Sequence, residues 1–402
     1  MIIRIEQILI ISAACSRYCF IVGATLFFTG CGGGSDYGSG GNDSNKDLRS
    51  LLGVPEHMEL PPIPEFNPPT AEKIELGRYL FYDKRLSANS QQSCASCHNQ
   101  SDAFTDRRIR AVGSTGQVHP RNSQSIANAS YHATLTWSNN AFIWLEDQIE
   151  IPLLSDNPIE LGVTDTVRED VVARFSNDPQ YNELFSAAFD GSSGVSINKI
   201  IYALASFCRT IISGNSPYDR YVQGDKTALT ESQIRGLQSF NGEKFECFHC
   251  HSGINFSVSY RDNNSGKDFT RPFFNNGLYN IKGDGSYPTI DQGLYNLTLN
   301  PQHKGLFRPE SLRNVELTAP YMHDGSIATL REVVEHYARG GRLISSGPNA
   351  GDGRLSPLKS GLVRGFQATE QEKEDLVAFL HSLTDVDLVS NPKYADPFVE
   401  HQ

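Results

Sequence analysis

Apolar residues recur at helical spacing in five stretches of this chain, and strand-type alternation is scarce. Ile74, Leu76, Leu80 and Phe81 follow Thr70, while Ile234, Leu237 and Phe240 follow Thr230. In each of these two stretches a glycine, Gly77 or Gly236, stands beside the aliphatic positions, which suits a helix packing closely on another. A stripe of Ile200, Ile201, Leu204, Phe207 and Ile211 predicts a third helix, and Leu330, Val333, Val334 and Tyr337 predict a shorter one. Leu376, Val377, Leu380 and Leu383 predict a last, behind the capping-box pattern Thr369-Glu-Gln-Glu372. Residues 255–305 are rich in Gly, Asn, Asp and Pro and predict long loops. The pattern is that of a mainly α protein in two similar blocks, each opened and closed by a helix, as an internal duplication would produce.

The first 48 residues read differently. After Arg17 an apolar run, Tyr18 to Phe28, is too short to span a bilayer comfortably, and it ends in Phe28-Thr29-Gly30-Cys31. That resembles a bacterial lipobox, although phenylalanine stands where leucine is usual, and the apolar residues 8–14 lengthen the region enough to keep an uncleaved anchor open. The expectation is a lipoprotein-type signal over 1–31, lipidation at Cys31, a Gly/Ser-rich linker over 32–48 and a periplasmic body. Two domains, 49–215 and 216–390, and a tail, 391–402, complete the expected organisation. The net charge of −11 with no Lys/Arg run gives no electrostatic reason to expect nucleic acid; it favours a basic or locally complementary protein partner.

The chemistry is concentrated in two copies of C-x-x-C-H: Cys94-Ala-Ser-Cys97-His98 and Cys247-Phe-His-Cys250-His251. Such a string attaches c-type haem, because each thiol adds to one vinyl group of a porphyrin and the adjacent histidine reaches the iron. With 8 Cys and 11 His in the chain, chance supplies about 0.004 such strings. Two covalent haems are therefore expected. No third and fourth ligand cluster accompanies either motif, which argues against zinc. Of the remaining cysteines Cys15, Cys19 and Cys31 lie at the N-terminus and Cys208 alone in the body, so no disulfide framework is implied. Helices crossing beside a haem are the cytochrome c arrangement, here in two domains with the haems near their interface.

Further segments, namely Leu76-Gly-Arg-Tyr-Leu-Phe-Tyr-Asp83, Ala103-Phe-Thr-Asp106, Ser216-Pro-Tyr-Asp-Arg220, Ser311-Leu-Arg-Asn314 and Leu317-Thr-Ala-Pro-Tyr-Met-His-Asp-Gly-Ser326, recur in an order that resembles the bacterial di-haem cytochrome c peroxidase and MauG superfamily. Gly113-Ser-Thr-Gly-Gln-Val-His-Pro120, Leu135-Thr-Trp137 and Glu246-Cys-Phe-His-Cys-His251 are most similar to its MbnH-like branch. The resemblance implies a division of labour in which the N-terminal haem meets hydrogen peroxide and the C-terminal haem stores or relays an oxidising equivalent.

It also implies roles. Glu160 matches the distal acid–base position and Gln148 another pocket position; Trp137 matches the inter-haem tryptophan, with Trp144 its rival. At the second iron Tyr337 stands where ordinary peroxidases supply methionine, with Met322 and His336 as alternatives. A tyrosinate is a hard anion that favours oxidised iron, whereas a thioether favours the ferrous state. His323 is expected near the second haem without ligating it. His119 lies 21 residues past His98, farther than the family's blocking histidine, and is expected to be a loop residue. A calcium ion between the domains is implied through Asn122 and the carbonyls of Thr318 and Pro320.

The expected activity is that of a peroxidase-like oxidoreductase drawing electrons from a periplasmic protein partner, whose tryptophan is oxidised in MbnH-like enzymes. Two alternatives stay open: a conventional cytochrome c peroxidase fed by a small cytochrome or cupredoxin, and a non-catalytic di-haem electron carrier.

Overall fold

The computed structural model describes residues 40–191 and 194–399, with side chains from residue 45. Residues 44–402 fall in one compact unit. Its helices in chain order are α1 (Gly40–Leu52), α2 (Ala71–Tyr82), α3 (Leu145–Leu154), α4 (Arg168–Ser176), α5 (Pro179–Ala188), α6 (Ile197–Cys208), α7 (Pro217–Val222), α8 (Glu231–Phe240), α9 (Tyr295–Thr298), α10 (Leu330–Ala338), α11 (Glu370–His381) and α12 (Val386–Ser390). The sheet content among the described residues is one antiparallel pair, β1 (Leu343–Ile344) with β2 (Gly351–Asp352). Among the described residues no helix is long and apolar enough to cross a membrane.

The duplication is visible in the packing. Thr70 and Thr230 cap α2 and α8 by accepting from the amides of Lys73 and Gln233. Gly77 of α2 then lies against the Ala203 carbonyl and the Phe207 Cβ of α6, and Gly236 of α8 lies in the same way against the Asp375 carbonyl and the Phe379 Cβ of α11. In both pairs an ideal Cβ on the glycine would stand 2.0 Å from the carbonyl oxygen, so only a bare Cα permits the approach. Each crossing seeds a core. Leu76, Leu80, Phe81, Ile200, Leu204 and Phe207 anchor the first, and Phe240, Phe256, Leu376, Phe379 and Leu380 the second.

Two segments depart from the expected organisation. Helix α1 begins at Gly40, inside the stretch read as a linker, because Leu48 and Leu52 supply an apolar edge that joins Met58, Tyr131 and Ile212. The apolar lead, Cys31 and the rest of that stretch lie outside the described residues. The segment read as a C-terminal tail returns to the first core: the Tyr394 hydroxyl donates to the Thr210 carbonyl, and its own carbonyl accepts from Tyr82. An aromatic side chain buried to 4% exposure is what holds it there.

The loops of 255–305 are not bare linkers. Leu278, Tyr279 and Tyr287 from these loops form a separate small core with Phe307 and Ile327 from the segment that follows.

Candidate functional site

At the first motif Cys94–Ser96 form a single 3₁₀ turn behind Ser93, and Cys97 and His98 follow. His98 Nδ1 stands 2.9 Å from the Phe104 carbonyl oxygen. A carbonyl only accepts, so Nδ1 carries the proton and Nε2 keeps its lone pair for a metal. Phe104 is fully buried and holds a left-handed backbone, which turns its carbonyl back toward the ring. The second motif repeats this arrangement. His251 Nδ1 lies 3.1 Å from the carbonyls of Phe256, again left-handed, and of Glu310. Burial pushes the Cys97 and Cys250 thiols up to about 11, so they are neutral thiols without a disulfide partner.

Glu160 is brought to the first centre by a hairpin clamp. The amide of Ser114 donates to the Glu160 carbonyl, Gln117 Oε1 accepts from the Ile159 amide, and Gly113 packs its bare Cα on the Ile159 carbonyl. The Glu160 carboxyl is held above the usual range by burial, while the nearby His119 and His98 pull it the other way. Its charge in turn reaches Cys94 and Cys97. Glu160 Oε1 is 3.8 Å from His119 Nδ1, and His119 Nε2 contacts the Ile159 carbonyl at 3.2 Å. His119, expected as a plain loop residue, is thus 6% exposed and partnered to Glu160, with its Nε2 engaged by backbone. Gln148 lies on α3, whose end pairs with the Glu160 segment through Leu161 N to Pro152 O and Val163 N to Leu153 O. Its Oε1 is buried with no hydrogen-bond partner.

The second motif opens on a cavity lined by Cys247, Cys250, His251, Tyr337, Met322 and His323. Helix α10 turns Leu330, Val333, Val334 and Tyr337 onto its wall together. Burial pushes the Tyr337 phenol up to about 12, against a hydrogen bond with Asn276 that lowers it, and the hydroxyl lies close to Cys250 and Cys247. Asn276 Nδ2 also donates to Met322 Sδ at 3.3 Å. His336 turns its Nε2 to the Asn276 carbonyl at 3.0 Å and is not on the cavity wall. His323 is on the wall, stacked on Phe307 at 3.8 Å.

The two tryptophans separate clearly. Trp137 lines the second cavity and donates from Nε1 to the carbonyl of Asn122, which belongs to the segment leading from the first centre. Trp144 packs on Phe66 and under Arg261, whose guanidinium is 4.3 Å from its ring centre. Asn122, Thr318 and Pro320 all line the same cavity. Asn122 Nδ2 donates to the Arg108 carbonyl, and among the described residues no donor reaches Asn122 Oδ1 or the carbonyls of Thr318 and Pro320. Three unspent neutral oxygens suit a hard cation.

The residues present fit haem at both motifs. Beyond the thiols and free Nε2 atoms, Arg308 is 2% exposed on the wall of the second cavity with its Nη1 unpartnered, a donor suited to a carboxylate on the bound group. Sequence reasoning missed Arg308 and Glu310, whose Oε1 accepts from Arg308 Nη2 and from Gln124 Nε2. It also missed Arg209, buried against Glu146 with Nε and Nη1 unpartnered. For Arg209 a signal existed: an arginine inside the apolar run Phe207–Ile212.

Two thiol pairs, each followed by a histidine with a free Nε2 and each set on a crossed helix pair, define a di-haem c-type protein. A family model described as di-haem cytochrome c peroxidase matches residues 71–227. The chain is 37% identical over 338 residues to cytochrome-c peroxidase IdrP1 of Pseudomonas sp. (strain SCT), covering 80% of this chain and 83% of that one. It is 31% identical to methylamine utilization protein MauG of Methylorubrum extorquens, covering 90% and 92%. The crystal structure of a MauG-like protein associated with microbial copper homeostasis superimposes with a TM-score of 0.84 at 48% identity, over 86% of this chain and 99% of that one. The chain belongs to the di-haem cytochrome c peroxidase and MauG family and is a peroxidase-like oxidoreductase.

Proposed function

We propose that this protein is an exported enzyme in which hydrogen peroxide reacts at the His98 centre, the oxidising equivalents are shared with the His251 centre, and a protein partner is oxidised. The observation that carries the reading is Glu160, held by the hairpin clamp with a raised carboxyl pKa beside the unblocked His98 Nε2. A bound haem supplies the metal on which peroxide is reduced. Glu160 supplies the proton movement, taking a proton from one peroxide oxygen and returning it to the other. His119 Nδ1, at 3.8 Å, would steady the carboxylate when the ring is the imidazolium, since Nε2 already donates to the Ile159 carbonyl. The clamp keeps the carboxylate fixed while substrate exchanges. At the second centre Tyr337 would offer a bound haem an anionic oxygen, which suits an oxidised iron. Trp137 joins the two centres, and calcium at Asn122, Thr318 and Pro320 ties the segment around residue 122 to that of residues 318–320. The partner is a periplasmic protein, and the resemblance of residues 113–120, 135–137 and 246–251 to MbnH-like enzymes supports a tryptophan of that partner as the group oxidised. Membrane attachment is through lipid on Cys31.

Glu160→Gln tests the reading. The rate of peroxide consumption in stopped-flow spectra is expected to fall by roughly 10²–10⁴ with both haems retained. An unchanged rate would return Glu160 to an ordinary loop residue.

A second reading has its own observation: Met322 shares the cavity wall with Tyr337. If the thioether ligates, the protein is a conventional peroxidase fed with single electrons by a small cytochrome or cupredoxin. A second-haem potential in the His/Met range, unaltered by Tyr337→Phe, would favour it.

A further inference from the structure

Between the second cavity and the β1–β2 pair the long loop builds an aromatic stack to which the reading above gives no role. Phe307 and His323 are on the cavity wall. The Tyr287 ring centre lies 5.9 Å from Phe307 and 6.1 Å from His323. Tyr279 lies beyond it, 5.3 Å from Tyr287. Both tyrosines are buried, at 6% and 2% exposure.

Their hydroxyls are treated differently. Tyr287 donates to Asn275 Oδ1 at 3.0 Å, an amide oxygen that does not hold a proton near neutral pH. Tyr279 donates to Asp324 Oδ2 at 2.5 Å, a carboxylate oxygen, which takes up a proton far more readily than an amide oxygen. Asp324 is itself buried, and its other oxygen accepts from the Ser326 amide at 3.1 Å, so Oδ2 is aimed at the phenol. The half-buried Arg342 donates to Ser326 Oγ and lies 6.0 Å from the Tyr279 ring centre, which sets Tyr279 one side chain below the surface.

We propose that Tyr279 is a redox-active tyrosine that takes one oxidising equivalent from the second haem, with Tyr287 as the intervening ring and Asp324 as the base. The inference rests on the reading that peroxide loads that haem. In the step one electron leaves Tyr279 for the oxidised haem, the phenol O–H bond breaks, and the proton moves to Asp324 Oδ2. A neutral tyrosyl radical and a carboxylic acid remain. One electron from the partner, with return of the proton, restores both. Loss of an electron makes a phenol a very strong acid, so in a site that water does not reach oxidation requires an acceptor already in place. Of these two tyrosines Tyr279 alone has one, and that difference assigns the end of the path.

The test uses the intact di-haem protein, with ring-deuterated tyrosine for assignment. Samples are frozen within milliseconds of adding peroxide and read by electron paramagnetic resonance; parallel samples are oxidised by a flash-quenched ruthenium complex, which bypasses peroxide chemistry. The expected result is a tyrosyl signal that narrows on deuteration, is absent in Tyr279→Phe, persists in Tyr287→Phe and falls at least tenfold in Tyr287→Leu, where the ring is gone. Haem absorbance of each variant shows whether the fold and both haems survive. No tyrosyl signal by either route while the second haem is oxidised, or a signal unchanged in Tyr279→Phe, overturns the proposal. A signal with the photo-oxidant alone supports Tyr279 and instead overturns the peroxide reading.

Discussion

Gly236→Ala isolates the closeness of the α8–α11 crossing, on which the second centre is built. The added Cβ would stand 2.0 Å from the Asp375 carbonyl oxygen, 2.6 Å from its carbon and 2.7 Å from the Phe379 Cβ, so the helices must separate by about 1.4 Å to reach ordinary contact. Two of these atoms are backbone in the middle of α11 and cannot swing aside. A gap of that size forfeits about half or more of each contact it opens, and overpacking of this kind costs about 3 kcal/mol at the upper end of its usual range. Alanine returns about 1 kcal/mol through its better helix propensity. The net is about 2 kcal/mol, concentrated where Leu376 and Leu380 reach the cavity wall. Differential scanning calorimetry of the holoprotein should show the midpoint lowered by about 3 °C. The absorption bands of the second haem should shift and those of the first should not, while Gly77→Ala should do the reverse. Gly361→Ala, where an added Cβ meets nothing, is the control. Wild-type stability with both haem spectra unchanged would refute the reasoning.

Other expectations are as direct. Because burial raises the Glu160 carboxyl and its deprotonated form accepts the proton, the peroxide rate should fall as the pH drops through a value above the ordinary glutamate range, and Glu160→Gln should abolish that limb; a limb near 4.5 would contradict the site. Tyr337→Phe should alter the second-haem spectrum and raise its potential, measured by spectroelectrochemistry, while the first haem still meets peroxide; an unaltered spectrum would move the ligand to Met322. Chelation of calcium, or Asn122→Ala, should slow electron equilibration between the haems in stopped-flow traces; indifference to both would remove calcium from the assignment. Cys31→Ser should release holoprotein from the membrane fraction, whereas a wild type that is soluble without detergent would remove the lipid anchor.

What the sequence by itself determined is local and covalent. The two Cys-x-x-Cys-His strings specify haem attachment because both thiols and the histidine belong to one short turn, and the helices were legible because capping threonines and apolar spacing act within a few residues. Gly77 and Gly236 announced close packing, but only the structure shows that each faces a carbonyl on the helix that closes its own block. Everything assembled across the chain came from tertiary structure. His119 is adjacent to Glu160 because a hairpin folds over residues 159–162, and no pattern in either segment encodes that pairing. The unpartnered Nη1 of Arg308, the return of Tyr394 to the first core and the carboxylate beneath Tyr279 have the same origin. Burial and hydrogen-bond pairing depend on residues tens to hundreds of positions apart, and it is burial that turns an ordinary carboxylate, arginine or tyrosine into a functional group.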